Sequence, residues 1–214
     1  KYKVICLVSR PWGIRALKFI ANQSYIDIVG VVCMGKPPLL PQKDRWWSGS
    51  VYETATELGI PIIKMKEILD HEIDLLMSLL FYRIIKEPYI SHAKYGTTNF
   101  HMAPLPRYRG CNSLAHAIIN SGIDGHKKYG MTLHYIDEGI DTGPIIEITE
   151  CDIEDTDTAW TLYQRVTEQA YDLLKKWLPR LVSEKVQSYN QSKEEKSYFY
   201  DRHSLDDIHI IDLK

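Results

Sequence analysis

The chain has 214 residues, a formal net charge of -2, and 44% hydrophobic and 25% charged residues. That length suits one domain, or one domain with a small appendage, with enough apolar material for a real core. The charge balance gives no push toward a nucleic-acid backbone, and no apolar run has the length of a membrane span.

Residues 3–8 are apolar and β-branched, which predicts a buried first strand rather than a leader peptide. Ser9-Arg10-Pro11-Trp12-Gly13 predicts a turn, with Ser9 or Gly13 near the start of a helix over residues 14–21. Residues 27–33 predict a second buried strand, and the three elements together predict a right-handed parallel crossover. Residues 34–48 read as a Pro-rich basic loop carrying Trp46 and Trp47. A helix over 51–58 ends at Gly59, followed by a short strand at 60–63 and a helix near 65–70. An apolar strand at 74–81, a helix at 86–92 and a strand at 97–100 come next. Residues 111–120 predict a helix, and 129–136 and 145–150 predict paired strands. The longest helix is expected at 157–183, with Tyr163, Val166, Ala170, Leu173, Leu174 and Leu181 at core spacing. Beyond residue 183 the chain turns polar and then alternates aromatic with charged residues, as a hairpin or docking arm would.

The alternation predicts an α/β fold: a Rossmann-like open, mostly parallel sheet with helices on both faces. The expected division is a catalytic domain over 1–185 and a C-terminal arm over 186–214. Ligands of such sheets sit at the carboxyl ends of strands, so the loops at 9–13, 81–86 and 99–110 should share one rim. Cys6, Cys33, Cys111 and Cys151 are scattered with no Cys-x-x-Cys pair, which suits reduced thiols in the cytoplasm. No His-Glu-x-x-His predicts a metal, and no Gly-x-Gly-x-x-Gly follows the first strand.

The chemistry concentrates between Thr98 and Gly110. Asn99 and His101 lie two apart on a predicted strand and so face one side. His101 suits proton transfer near neutral pH, and Asn99 offers a neutral N–H to a developing oxyanion. Asp141, on the Gly-rich stretch Asp137-Glu138-Gly139-Ile140-Asp141-Thr142-Gly143-Pro144, can fix the imidazole's tautomer or stabilise its protonated form. No Ser or Cys stands in a nucleophile-elbow pattern, so a substrate amine would attack a bound acyl donor directly.

Asn99-x-His101, Leu105-Pro106-x-Tyr108-Arg109-Gly110 and Gly139-Ile140-Asp141-Thr142-Gly143-Pro144 together resemble the signature of the folate-dependent formyltransferases. The resemblance runs from Val4 to about Leu181. It implies Asn99, His101 and Asp141 as catalytic residues and N10-formyltetrahydrofolate as formyl donor, with no metal. It also implies that Phe81, Tyr82, Arg83 and Ile84 cradle the pteridine while Ile136, Asp137, Glu138 and Gly139 close over it. Three acceptors fall within that family. Glycinamide ribonucleotide enzymes resemble this chain in length but carry a Gly-rich first turn, where only Gly13 is glycine here. Methionyl-tRNA formyltransferases carry a further C-terminal domain, against about thirty residues after the long helix here. The tail Ser197-Tyr198-Phe199-Tyr200-Asp201-Arg202-His203, with Asp206-Asp207-Ile208, is similar to the sugar-nucleotide N-formyltransferases.

That resemblance implies a nucleotide-linked dideoxy amino sugar as acceptor, dTDP-4-amino-4,6-dideoxyglucose in the first instance, used in O-antigen or other surface polysaccharide, and a homodimer built through the arm. A phosphoribosylglycinamide formyltransferase and a formyltetrahydrofolate hydrolase with the same triad are the alternative readings. Substrate contacts are expected from Ser9, Arg10, Trp12, Gly13, Arg107, Tyr108, Arg109 and Gly110. Arg10, Arg107 and Arg109 are candidates for the diphosphate; Trp12, Trp46, Trp47 and Tyr108 are candidates for stacking on the base. Solvated charge and core packing remain the alternatives for those arginines and aromatic residues.

Overall fold

A computed structural model describes residues 1–33, 50–192 and 196–206, with the side chain of Arg10 outside that description. Six strands form one sheet in the order β2-β1-β3-β4-β6-β7. They are β1 (Tyr2–Val8), β2 (Ile26–Cys33), β3 (Leu75–Leu79), β4 (Thr97–His101), β6 (Lys128–Tyr135) and β7 (Ile145–Asp152). The first four run parallel, as the crossover pattern predicts; β6 runs antiparallel to β4, and β7 to β6. Two short strands, β5 (Arg109–Gly110) and β8 (Phe199–Tyr200), pair separately.

Both faces of the sheet are covered, which is why β1 reads as an unbroken apolar run. Val4, Cys6 and Val8 enter one core and Ile5 and Leu7 the other, the period-2 alternation of a strand. Helix α1 (Arg10–Ala21) lays Trp12, Ala16, Leu17 and Ile20 on the first core, one stripe at helical spacing. Gly13 lets this helix approach the sheet: a Cβ there would stand 2.8 Å from the Leu79 carbonyl oxygen. Helix α5 (Ala159–Leu181) packs Leu162, Val166, Ala170, Leu173, Leu174 and Leu178 on the same side. Its first turn is closed by Thr158, whose hydroxyl accepts the Thr161 N–H at 3.2 Å. The remaining helices are α2 (Val51–Glu57), α3 (Tyr89–His92) and α4 (Ser113–Asp124).

Several boundaries differ from the sequence expectation. Residues 60–63 make only an isolated bridge, Val31 with Ile62, and Met65–Asp70 is a 3-10 helix. The helix expected at 86–92 is confined to α3, because Pro88 disfavours the helical conformation in the residue before it. In the described part of the tail, β8 pairs in parallel with β5, so this segment docks on the body. Trp46 and Trp47 lie outside the described residues.

Strand β4 is the hinge between packing and chemistry. Phe100 points into the first core, its ring 5.2 Å from that of Trp12. Asn99 and His101 therefore turn to the opposite face. Trp12 is only 2% exposed and its Nε1–H donates to the Thr167 carbonyl at 3.1 Å. Replacing Trp12 with Ala should cost roughly 3–5 kcal/mol of stability, read by urea unfolding at constant m-value.

Candidate active site

Asn99 and His101 each keep 9% of their surface exposed, and that remnant opens into a cavity of about 730 Å³. Its walls are residues 80–85 after β3, residues 110–115 leading into α4, the loop at 136–141 apart from Glu138, and residues 199–202 of the tail. This is the carboxyl-end rim expected of the parallel strands.

The imidazole of His101 is fixed at one nitrogen. Its Nε2–H donates to the Tyr108 carbonyl at 3.0 Å, and a carbonyl can only accept, so Nε2 carries the proton. Nδ1 is left facing Asp141, with the carboxylate Oδ1 at 3.5 Å. Tyr108, not Asp141 as the sequence suggested, sets the tautomer. Tyr108 adopts a left-handed backbone (φ 64°), uncommon outside glycine, and its ring is fully buried against Tyr129, Tyr198 and Tyr200. Aromatic packing thus holds the carbonyl that aims His101.

Asp141 is held on both sides. Its own backbone is left-handed (φ 53°), a conformation Asp tolerates better than most residues. Its Oδ2 accepts the Gly110 N–H at 3.0 Å. Asp137 shapes the same loop: its Oδ1 accepts from the Gly139 N–H (3.1 Å) and the Thr142 hydroxyl (2.6 Å). Gly143 has no room for a side chain, since a Cβ would sit 1.8 Å from the Tyr135 carbonyl oxygen.

Asn99 is aimed by a residue that the sequence did not mark for this role. His134 lies directly across the ladder on β6, in register with Asn99. Its Nδ1–H donates to the Tyr135 carbonyl at 2.8 Å, so its Nε2 is an acceptor and takes the Asn99 Nδ2–H at 3.1 Å. Among the described residues the second Asn99 N–H is not taken up, and the buried Asn99 Oδ1 has no partner. Burial pushes the His134 imidazole down from 6.5 to about 4, partly opposed by Asp141, whose Oδ1 is 3.9 Å away, and reinforced by His101. The alternation that puts Thr132 and His134 on one face of β6 was readable; its pairing with β4 was not.

The residues expected to contact the acceptor divide. Gly110 lines the cavity, and its φ of 89° suits a residue whose Cβ would stand 2.2 Å from the Tyr200 carbonyl oxygen. Ser9 is buried and its hydroxyl donates to the Leu80 carbonyl. Trp12 and Gly13 pack in the core and do not reach the cavity, and Tyr108 is core as well. The helix start after β1 is also a poor phosphate cradle, because Pro11 has no N–H and the Trp12 N–H meets the Tyr163 hydroxyl at 3.3 Å. Arg107 is paired with Asp124 and lies over the Tyr108 and Tyr198 rings. Arg109 gives its Nε–H and an Nη2–H to Gln191 Oε1. Arg10 lies outside the described side chains. Among the described residues, the arginines and lysines that line the cavity are Arg83 and Arg202.

On the donor side, Phe81, Tyr82, Arg83, Ile84, Ile136, Asp137 and Gly139 line the cavity, and Glu138 does not. Among the described residues, the backbone groups of 82–85 make no backbone hydrogen bonds, which leaves them available to a ligand. The apolar wall with exposed amide edges fits a flat heterocycle that carries donors and acceptors on its rim. Among the described residues, no group of three or more His, Cys, Asp or Glu is placed to hold a metal ion. His116 instead stacks on Tyr200 and meets the Ser204 hydroxyl.

The neutral, buried His134 predicts a pH effect on stability. Above pH 6.5 both folded and unfolded states keep this imidazole neutral. As the pH falls toward 4, the unfolded chain takes the proton and the folded one resists, so stability drops by about 3 kcal/mol. In a His134→Asn variant this part of the slope should vanish, measured by urea unfolding at several pH values across that window.

Comparison with known proteins identifies the relatives of this chain. The family model described as "Formyl transferase" matches residues 60–178, more than half of the chain. Methionyl-tRNA formyltransferase of Bacillus thuringiensis (strain Al Hakam) is 28% identical over 207 residues, which cover 92% of this chain and 64% of that relative. The chain therefore spans less than two thirds of the length of such relatives. Among solved structures it is similar to WlaRD, a sugar 3N-formyl transferase in the presence of dTDP and 5-N-formyl-THF. There the TM-score is 0.80 and identity 26%, over 98% of this chain and 73% of the other. It is also similar to the N-formyltransferase from Helicobacter canadensis in complex with folinic acid and dTDP-3-aminofucose, with TM-score 0.75 and 25% identity over 95% of this chain and 71% of that one. With Asn99, His101 and Asp141 gathered at one cavity wall, this chain belongs to the formyl transferase family.

Proposed function

We propose that the protein moves a formyl group from N10-formyltetrahydrofolate to the amine of a nucleotide-linked dideoxy amino sugar. The observation that carries this reading is the meeting of Asn99, His101 and Asp141 at the mouth of β4, with His101 Nδ1 3.5 Å from Asp141 Oδ1. The uncharged amine attacks the formyl carbon, and the free Asn99 N–H receives the developing oxyanion. His101 Nδ1 takes the amine proton and returns it to the folate nitrogen as the old C–N bond breaks, while Asp141 stabilises the imidazolium between those steps.

The sugar-nucleotide acceptor is favoured by the two similar structures, whose names carry dTDP and dTDP-3-aminofucose. The diphosphate contact moves from the expected Arg107 and Arg109, which are already paired, to Arg202 on the tail side of the cavity. A homodimer using the segment from residue 186 onward is part of the same proposal, testable by light scattering. A cytoplasmic site of action is too, in keeping with four free cysteines.

The deciding assay offers N10-formyltetrahydrofolate with dTDP- and UDP-linked 3-amino and 4-amino sugars and with glycinamide ribonucleotide. The expected result is N-formylation of a dTDP-linked sugar. Formate released with every acceptor idle would mark a hydrolase instead. Single changes Asn99→Ala, His101→Asn and Asp141→Asn should each lower kcat by ~10²–10³ or more with the fold intact; a near-normal rate in His101→Asn would remove its assigned role. Arg202→Ala should raise KM for the sugar nucleotide about tenfold and leave KM for the folate unchanged.

A further inference from the structure

We infer that Gln191, on the segment that follows the catalytic core, is a positioning residue for Asp141; this rests on the role given to Asp141 above. The Gln191 Nε2 donates to two carbonyls of the catalytic loop, Asp141 at 2.8 Å and Gly143 at 2.9 Å. Its Oε1 accepts from Arg109, Nε at 3.2 Å and Nη2 at 2.5 Å. Arginine only donates and a backbone carbonyl only accepts, so the orientation of this amide is fully determined.

A closed circuit results. Arg109 holds Gln191, Gln191 holds the Asp141 backbone, and the Asp141 carboxylate takes the N–H of Gly110, the residue next to Arg109. The left-handed backbone at Asp141 gains little from local propensity and needs such outside support. The carboxylate is thus fixed from two directions, by the main chain behind it and by a peptide N–H in front. Gln191 lies beyond residues 60–178, the stretch that the family model matches.

Gln191→Glu separates positioning from simple anchoring of the tail. It keeps an acceptor for Arg109 but turns a carboxylate oxygen toward two carbonyls. The full-length variant is examined by residue-resolved amide exchange and by steady-state kinetics. Gly110 N–H reports the Asp141 carboxylate. Arg109 N–H, bonded to the Tyr198 carbonyl, and Cys111 N–H, bonded to the Tyr200 carbonyl, report docking of the tail.

The expected result is Gly110 exchange about tenfold faster with Arg109 and Cys111 unchanged, and kcat roughly 10- to 100-fold lower with KM for both substrates within about threefold. Gln191→Ala, read in the same way, serves if the Glu variant does not fold. Unchanged Gly110 exchange overturns the inference whatever the activity, and so does release of all three amides together, which would make Gln191 a tail anchor. If only Gly110 loosens in a protein whose parent formylates no amine, the brace stands and the proposed function falls.

Discussion

The bond from His101 Nε2–H to the Tyr108 carbonyl is the constraint on which the site depends. A histidine free to turn offers either nitrogen to a substrate; one tied at Nε2 offers Nδ1 alone. Everything around it keeps that bond in place. Tyr108 holds an unfavourable backbone conformation because its ring is buried among three other tyrosines, two of them from the tail. A packing energy spread over aromatic surface is thereby converted into the direction of one proton.

The other two groups are held by the same principle applied through hydrogen bonds. Asn99 would be a loose amide if β4 lay at an edge. The antiparallel β6 covers it and brings His134 into register, and that ring stays uncharged because it is buried. An imidazolium there would have no lone pair for the amide and would disorient it. Asp141 is seated by a peptide N–H and, through Gln191, by its own carbonyl. All three side chains are therefore set in geometry by the fold itself, the condition under which the proposed electrostatic catalysis gains most.

The parts of the molecule legible in the sequence are those governed by local rules. The strand at Thr97–His101 and the two-residue spacing of Asn99 and His101 follow from period-2 alternation. The Asp141 loop follows from its glycines, and the long helix from its apolar stripe. What escaped reading is non-local or backbone in origin. No side-chain pattern announces that the carbonyl of Tyr108 will meet His101, or that β6 will turn antiparallel and lay His134 on Asn99. Trp12 was open to two readings because one residue, Ser9, joins β1 to α1, and a helix so closely docked buries its first turn. Arg107 and Arg109 looked like phosphate ligands because their partners, Asp124 and Gln191, lie far along the chain.

The most direct test of this account is the tautomer of His101. Histidine-selective 15N labelling, with a His101→Asn variant for assignment, distinguishes the two ring nitrogens by NMR at a pH where the ring is neutral. The structure requires the proton on Nε2 and a bare Nδ1 facing Asp141. A neutral ring carrying its proton on Nδ1 would contradict the account, since Tyr108 could then no longer be what aims it.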